Sequence, residues 1–190
     1  MDDVIRPVRA DEWRKAKELR LAALQDPAAP LAFLETYEAA IARPDSFWQD
    51  RAAGTSHGGA ARQFIAESPD GVWSGSVVVL VEPVGAEGIF GEVSAVPQAH
   101  LVAVYVRPEF RGVGLTQELF RVAMEWAWTL EEPRVERVRL FVHQDNGRAA
   151  GFYRKIGFVP TGYSVPVSGE TGETGATGEY ELEMAVARPV

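Results

Sequence analysis

The stretch Val104-Tyr105-Val106-Arg107-Pro108-Glu109-Phe110-Arg111-Gly112-Val113-Gly114-Leu115-Thr116 constrains this chain more than any other. A strand over His100 to Val106 must stop at Pro108, which has no N–H to give to a ladder. A tight loop with Gly112 and Gly114 then opens directly into an amphipathic helix, Leu115 to about Leu130, with Leu115, Leu119, Val122 and Trp126 on one side. The first amides of a helix have no internal partners, and its dipole favours negative charge there. Glycines let that backbone approach a ligand closely, so the geometry suits a pyrophosphate, with Arg111 as a fixed positive charge. The plainer reading is that the glycines only make the turn from strand to helix. The loop is not a P-loop, because no Gly-Lys-Ser/Thr follows, and Gln117 stands where a dinucleotide fingerprint needs its third glycine.

The rest of the chain reads as one domain over residues 1–190, of a size that supports a single core. A strand over Val4 to Arg9 precedes a helix capped by Asp11, with Trp13, Ala16, Leu19 and Ala23 at helical spacing and a stop at Asp26-Pro27. Helical stretches follow over Leu31 to Ile41 and after Asp45-Ser46, then a loop over Gly54 to Ala60. Strands over Gln63 to Glu67 and Val72 to Val81 form a hairpin through Ser68-Pro69-Asp70-Gly71. Glu82 to Ala99 is an excursion without a clear period, and Val135 to Val142 is another strand. After a short helix over Gly147 to Lys155 come strands over Val159 to Val167 and Glu179 to Ala187, joined by a Gly/Thr/Glu-rich loop, Ser168 to Gly178. In the last strand Tyr180, Leu182, Met184 and Val186 face one way, Glu181 and Glu183 the other. The fold class expected is α/β (α+β): a mixed, mostly antiparallel twisted sheet of about seven strands flanked by helices.

Composition removes several chemistries. With no cysteine, disulfides, thiolate nucleophiles and Cys-ligated zinc are impossible. His57, His100 and His143 lack metal-ligand spacing, so no metal is expected. A net charge of −8 argues against nucleic acid as partner and is compatible with a cationic amine. No run is long enough to cross a bilayer and the N-terminus has no signal pattern, so a cytoplasmic protein that does not engage a membrane is expected.

The second informative stretch is Asn146-Gly147-Arg148-Ala149-Ala150-Gly151-Phe152-Tyr153-Arg154-Lys155-Ile156-Gly157-Phe158. Asn146 is a good N-cap, Ala149 and Tyr153 share a helical face, and Gly157 is a natural stop. Read alone, Tyr153 is an aromatic packing helix against sheet. The two stretches together resemble the GNAT superfamily of acyl-CoA-dependent N-acyltransferases, whose pattern is Gln/Arg-x-x-Gly-x-Gly/Ala followed by Asn-x-x-Ala-x-x-x-Tyr-x-x-x-Gly-Phe. Arg111, Gly114, Asn146, Ala149, Tyr153, Gly157 and Phe158 match; Thr116 departs, standing where Gly or Ala is expected.

The resemblance implies acetyl-CoA as acyl donor and a small-molecule or peptide amine as acceptor; a homodimer is compatible with it. It implies that Val104, Tyr105 and Val106 pair with the pantetheine arm. Amides of Arg111, Gly112, Val113, Gly114, Leu115 and Thr116 would cradle the pyrophosphate. Asn146 and Ala149 would lie at the pantetheine or thioester, and Tyr153 would hand a proton to the departing thiolate. A thiol titrates near 8.5 and a tyrosine near 10, so Tyr153 is protonated at neutral pH, while only strongly basic amines need a general base. His100 is the base candidate, weighed against a strand-end histidine touching solvent; Glu92 is an alternative. Where relatives acting on ribosomal-protein N-termini carry a glutamate, this chain has Phe141. Phe33, Glu35, Tyr37, Trp48 and Trp73 are candidates for the acceptor site, weighed against simple packing. A CoA-binding sensor or partner-binding module without turnover is the alternative function.

Overall fold

Short turns between successive strands dictate antiparallel neighbours, whereas a parallel pair needs a longer crossover such as a helix. The computed structural model describes residues 3–167 and 178–189; the loop expected over Ser168 to Gly178 lies, but for Gly178, outside the described residues. Seven strands form one sheet: β1 (Val4–Pro7), β2 (Ala61–Glu67), β3 (Trp73–Glu82), β4 (Gln98–Val106), β5 (Arg137–His143), β6 (Val159–Pro166) and β7 (Tyr180–Ala187). Their order is β1-β2-β3-β4-β5-β7-β6, and every pairing is antiparallel except β4 with β5. The β2–β3 turn closes as its sequence dictates: the Gly71 amide donates to the Ser68 carbonyl at 2.8 Å and the Ser68 hydroxyl accepts from Val72.

Helices α1 (Trp13–Leu24), α2 (Ala29–Ala32), α3 (Tyr37–Ile41) and α4 (Asp45–Ser56) precede β2, α5 (Leu115–Thr129) joins β4 to β5, and α6 (Gly147–Lys155) joins β5 to β6. Leu115, Leu119, Phe120, Ala123 and Ala127 give α5 one continuous apolar stripe, buried against Val77, Val79, Leu101, Val138 and Leu140. Each large side chain so buried contributes about 1.5–3 kcal/mol. On the opposite face α1 and α4 close a second layer through Leu19, Ala23, Trp48 and Ala52. No helix among the described residues is long and apolar enough to cross a membrane.

Two helical expectations are corrected. The helix expected over Leu31 to Ile41 is broken, because Phe33 is extended (φ −139°, ψ 139°) and Thr36 caps a new helix by accepting from the Ala39 amide at 3.2 Å. The loop expected from Gly54 begins later: α4 runs through Gly54 to Ser56, since burying Trp48, Ala52 and Thr55 outweighs the roughly 1 kcal/mol a helical glycine costs.

The unperiodic excursion is ordered by charge. Gly88 and Glu92 close a turn (Gly88 amide to Glu92 carbonyl, 2.7 Å), and Glu92 reaches Arg139 on β5 at 2.5 Å. The Arg139 guanidinium also donates twice to Glu82 (2.9 Å each) and once to Glu183 (3.2 Å), all of it sealed from solvent. A Cβ on Gly88 would stand 2.1 Å from the Glu92 carboxylate, so a larger residue there would displace the Glu92–Arg139 pair. In β7 the expected alternation holds in facing, yet Glu183 is buried while Leu182 and Tyr180 are partly exposed, because Arg139, Arg137 and the Thr161 hydroxyl (2.6 Å) satisfy the carboxylate. Arg139→Leu leaves these carboxylates uncompensated and is expected to destabilise by about 3–5 kcal/mol, read as a lowered thermal midpoint. Burial pushes the Glu82 carboxyl up, but donation from His100 and Arg139 overrides it and brings it to about 2. The folded value lies below the unfolded one, so this stabilisation is complete above pH 4.5 and is lost as pH falls toward 2.

Candidate active site

The glycine loop adopts a conformation that only glycine holds without strain. Gly112 (φ 80°) and Gly114 (φ 89°) are both left-handed, and Gly114 is the N-cap of α5. A Cβ at either would meet open space, so each glycine leaves the approach to the backbone clear. No carbonyl among the described residues accepts from the amides of Gly112, Val113 or Gly114, and the first amides of α5 are free by helix geometry. These groups border a cavity of about 400 Å³ lined by Val104, Tyr105, Val106, Arg111, Gly112, Gly114, Thr116, Asn146, Ala149 and Tyr153. Exposed Arg148 and Lys155 stand at its edge with no ion-pair partner recorded among the described residues. Arg111 is already engaged: it donates to the Val106 carbonyl at 2.8 Å and pairs with Asp26. Burial raises the Asp26 carboxyl, but the Ala28 amide and Arg111 outweigh it and hold it below the ordinary range.

The cavity exists because β4 and β5 part company. Their ladder is registered only through Gln98–Arg137, Ala99–Val138 and His100–Arg139. Beyond His100 the facing edges diverge, helped by a bulge in β4 where the register with β3 shifts and Ala103 takes φ 53°. A non-glycine residue there costs about 1–2 kcal/mol, a strain that often accompanies a functional edge.

Along this gap the first cavity adjoins a second, of about 260 Å³. Ala32, Phe33, Val104, Asn146 and Tyr153 line both. Tyr153 is held by ring contacts with Phe120 (5.6 Å), Phe152 (5.7 Å) and Phe158 (6.2 Å), and its hydroxyl has no hydrogen-bond partner among the described residues. Burial first, and then the charge of Glu181, push its pKa up to about 12. Asn146 caps α6 by accepting from the Ala149 amide (3.2 Å) and donates to the Leu31 carbonyl (3.4 Å), tying α2 to the site.

Glu181 is the residue that sequence reasoning recorded without a role. It lies opposite His143 in the β5–β7 register and lines the second cavity. Burial pushes its carboxyl up to about 7, against a smaller lowering by His143. Its signal was the glutamate face of the last strand. His100 lines the same cavity, but it is a buried residue, and the solvent-touching alternative is excluded: its Nδ1 lies 3.1 Å from Glu82. Glu92 spends its carboxylate on Arg139 and the Phe90 amide. Glu82, Glu92 and His100 bring one ligand atom each within 4.8 Å, a cluster that could hold a cation, but the Arg139 guanidinium already engages both of its carboxylates.

Of the acceptor candidates, Phe33 and Glu35 line the second cavity. Trp73 is in the core beside Leu19, Trp48 packs with Trp13 and Ala52, and Tyr37 leans on that cluster, so these three serve packing. Within the glycine loop, the Leu115 side chain is core and the Val113 side chain points to solvent, which leaves only their backbone for a ligand. Phe141 stacks edge-on with Phe90 (4.8 Å) in the wall of the second cavity.

The model of the acetyltransferase (GNAT) family matches residues 19–158. No curated protein sequence matches the chain. Among solved structures it is similar to a GNAT-family acetyltransferase from Streptococcus pneumoniae (TM-score 0.71, 17% identity, covering 98% of this chain and 100% of that one). It is also similar to the PaiA N-acetyltransferase of Thermoplasma acidophilum in complex with coenzyme A (0.69, 15%, 99% and 100%). A third likeness is to a spermidine N-acetyltransferase SpeG chimera from Vibrio cholerae and hSSAT (0.66, 16%, 98% and 96%).

Proposed function

Because the chain belongs to the acetyltransferase (GNAT) family, we propose that it moves the acetyl group of acetyl-CoA onto a primary amine of a small molecule or peptide. The observation that carries this reading is the position of Tyr153, whose free hydroxyl stands where the two cavities meet. The first cavity suits the cofactor: open amides around Gly114 and the charges of Arg148 and Lys155 favour a diphosphate, and the unpaired edge of β4 suits an extended pantetheine arm. The second cavity then takes the acceptor.

In this mechanism the neutral amine nitrogen attacks the thioester carbon, the new C–N bond forms, and the C–S bond breaks. Glu181 takes the proton that the attacking nitrogen sheds, and Tyr153 donates to the departing sulfur. A phenol at about 12 is a weaker acid than a thiol in water, near 8.5. A thiolate released into the same water-poor gap is destabilised too, which narrows that difference and draws the phenolic proton toward sulfur. A second reading gives the base role to His100, because Glu82 on Nδ1 is the arrangement that leaves Nε2 for an incoming proton. Glu82 shares its charge with Arg139, which weakens that support.

Two measurements test the proposal. Calorimetry at low salt should register acetyl-CoA binding, and a thiol-release assay should register turnover with at least one primary amine. Binding without turnover across a broad amine panel would favour the sensor alternative; absence of both would overturn the proposal. Gly114→Ala is expected to weaken acetyl-CoA binding about tenfold or more, since a methyl at φ 89° costs about 1–2 kcal/mol and intrudes on the diphosphate's approach.

A further inference from the structure

The lining of the second cavity carries a positive charge that the protein itself does not neutralise. Arg20, Arg43 and Arg51 gather around a single carboxylate, Glu35. Glu35 takes Arg20 at 3.1 Å and Arg43 at 3.1 Å. Arg51 has no ion pair among the described residues, although it lines the cavity beside Arg20. Desolvation by burial, and then repulsion from Arg20, hold its guanidinium below the ordinary arginine value. An uncompensated cation in a half-buried position is costly, and the cost is relieved when an anion arrives.

Two groups of opposite character line this cavity. Arg20 and Arg51 come from α1 and α4, Glu181 and Tyr153 from β7 and α6, and Phe33, Phe90 and Phe141 add apolar wall. Arg20 is pinned over the Phe33 ring at 4.6 Å, so the cationic group is rigid. We propose that the acceptor is an amino carboxylate, an amino acid or a close analogue, whose carboxylate is anchored by Arg51 with Arg20 beside it while its amine faces Glu181. A planar guanidinium fork matches a carboxylate in two-point geometry, which an ammonium could not do. A volume of about 260 Å³ suits a compact molecule. A polyamine is disfavoured, because its second ammonium would be driven against Arg51.

This inference rests on the acetyltransferase reading above, and the test separates the two. Thiol release from acetyl-CoA is measured with L-leucine, L-methionine and L-phenylalanine, each against its carboxamide and against spermidine. At least one free acid is expected to exceed its amide in kcat/KM by about 10- to 100-fold, the range of a hydrogen bond to a charged group. Arg51→Met is expected to erase that preference, and Arg51→Lys to restore part of it. The Arg51→Met protein should keep or raise its thermal midpoint, since it loses an unpaired buried charge, whereas a residue with a purely structural role would lower it. Equal or better turnover of amides or spermidine, or no turnover of any acid, overturns this proposal. In the first case the acetyltransferase reading stands. Loss of all thiol release together with loss of acetyl-CoA binding defeats that reading too.

Discussion

Glu181→Gln is expected to lower kcat/KM at pH 8 by about 10²- to 10⁴-fold, the range for removing a positioned general base. The acid limb of the wild-type pH profile should fall near pH 7, where the Glu181 carboxyl gains its proton and can no longer accept one from the amine. In the glutamine variant that limb should disappear. His100→Gln should leave the limb in place; a limb that vanishes in His100→Gln and survives in Glu181→Gln reverses the assignment. The same substitution should make the protein more stable. The unfolded carboxyl ionises near 4.5 and the folded one near 7, so wild-type stability falls as pH rises between those values and stays lower above them. After allowance for partial solvent exposure, the glutamine variant should gain about 1–2 kcal/mol at pH 8 and nothing at pH 4. Activity lost while stability rises is the signature of a strained catalytic group.

Tyr153→Phe is expected to reduce kcat by about 10²-fold or more with acetyl-CoA affinity unchanged. The ring keeps its contacts with Phe120, Phe152 and Phe158, and the hydroxyl has no partner to lose, so the thermal midpoint should not move. With a pKa of about 12, Tyr153 places no alkaline limb within the usual assay range. Loss of acetyl-CoA binding in this variant, measured by calorimetry, would reassign Tyr153 to cofactor packing.

The candidate site was legible where its backbone takes a distinctive conformation. Gly112 and Gly114 announce left-handed conformations, and Asn146 announces a cap; both are local signals that survive in a single sequence. A mostly antiparallel sheet of about seven strands was legible too, but not the insertion of β7 between β5 and β6. What sequence could not give was pairing across distance. Arg139 finds Glu82 and Glu92 through a turn with no period, and Glu181 acquires its environment only once β7 inserts beside β5. Arg51 lies on a helix whose exposed and buried faces are poorly distinguished, so its arrival beside Arg20 and Glu35 has no sequence signal. The departures at Phe33 and Gly54 are cases where tertiary burial and capping overruled local propensity.

Among the described residues, three registered pairs and one further bond, from the Glu136 amide to the Pro97 carbonyl, lace β4 to β5 along their shared seam. Continuity across that seam therefore falls largely to side chains: the pairing of Arg139 with Glu82, and the ring of Phe120 on α5 lodged among Phe152, Tyr153 and Phe158. Tyr153, the proton donor we propose, thus belongs to the same ring cluster that ties α5 to α6 across the seam.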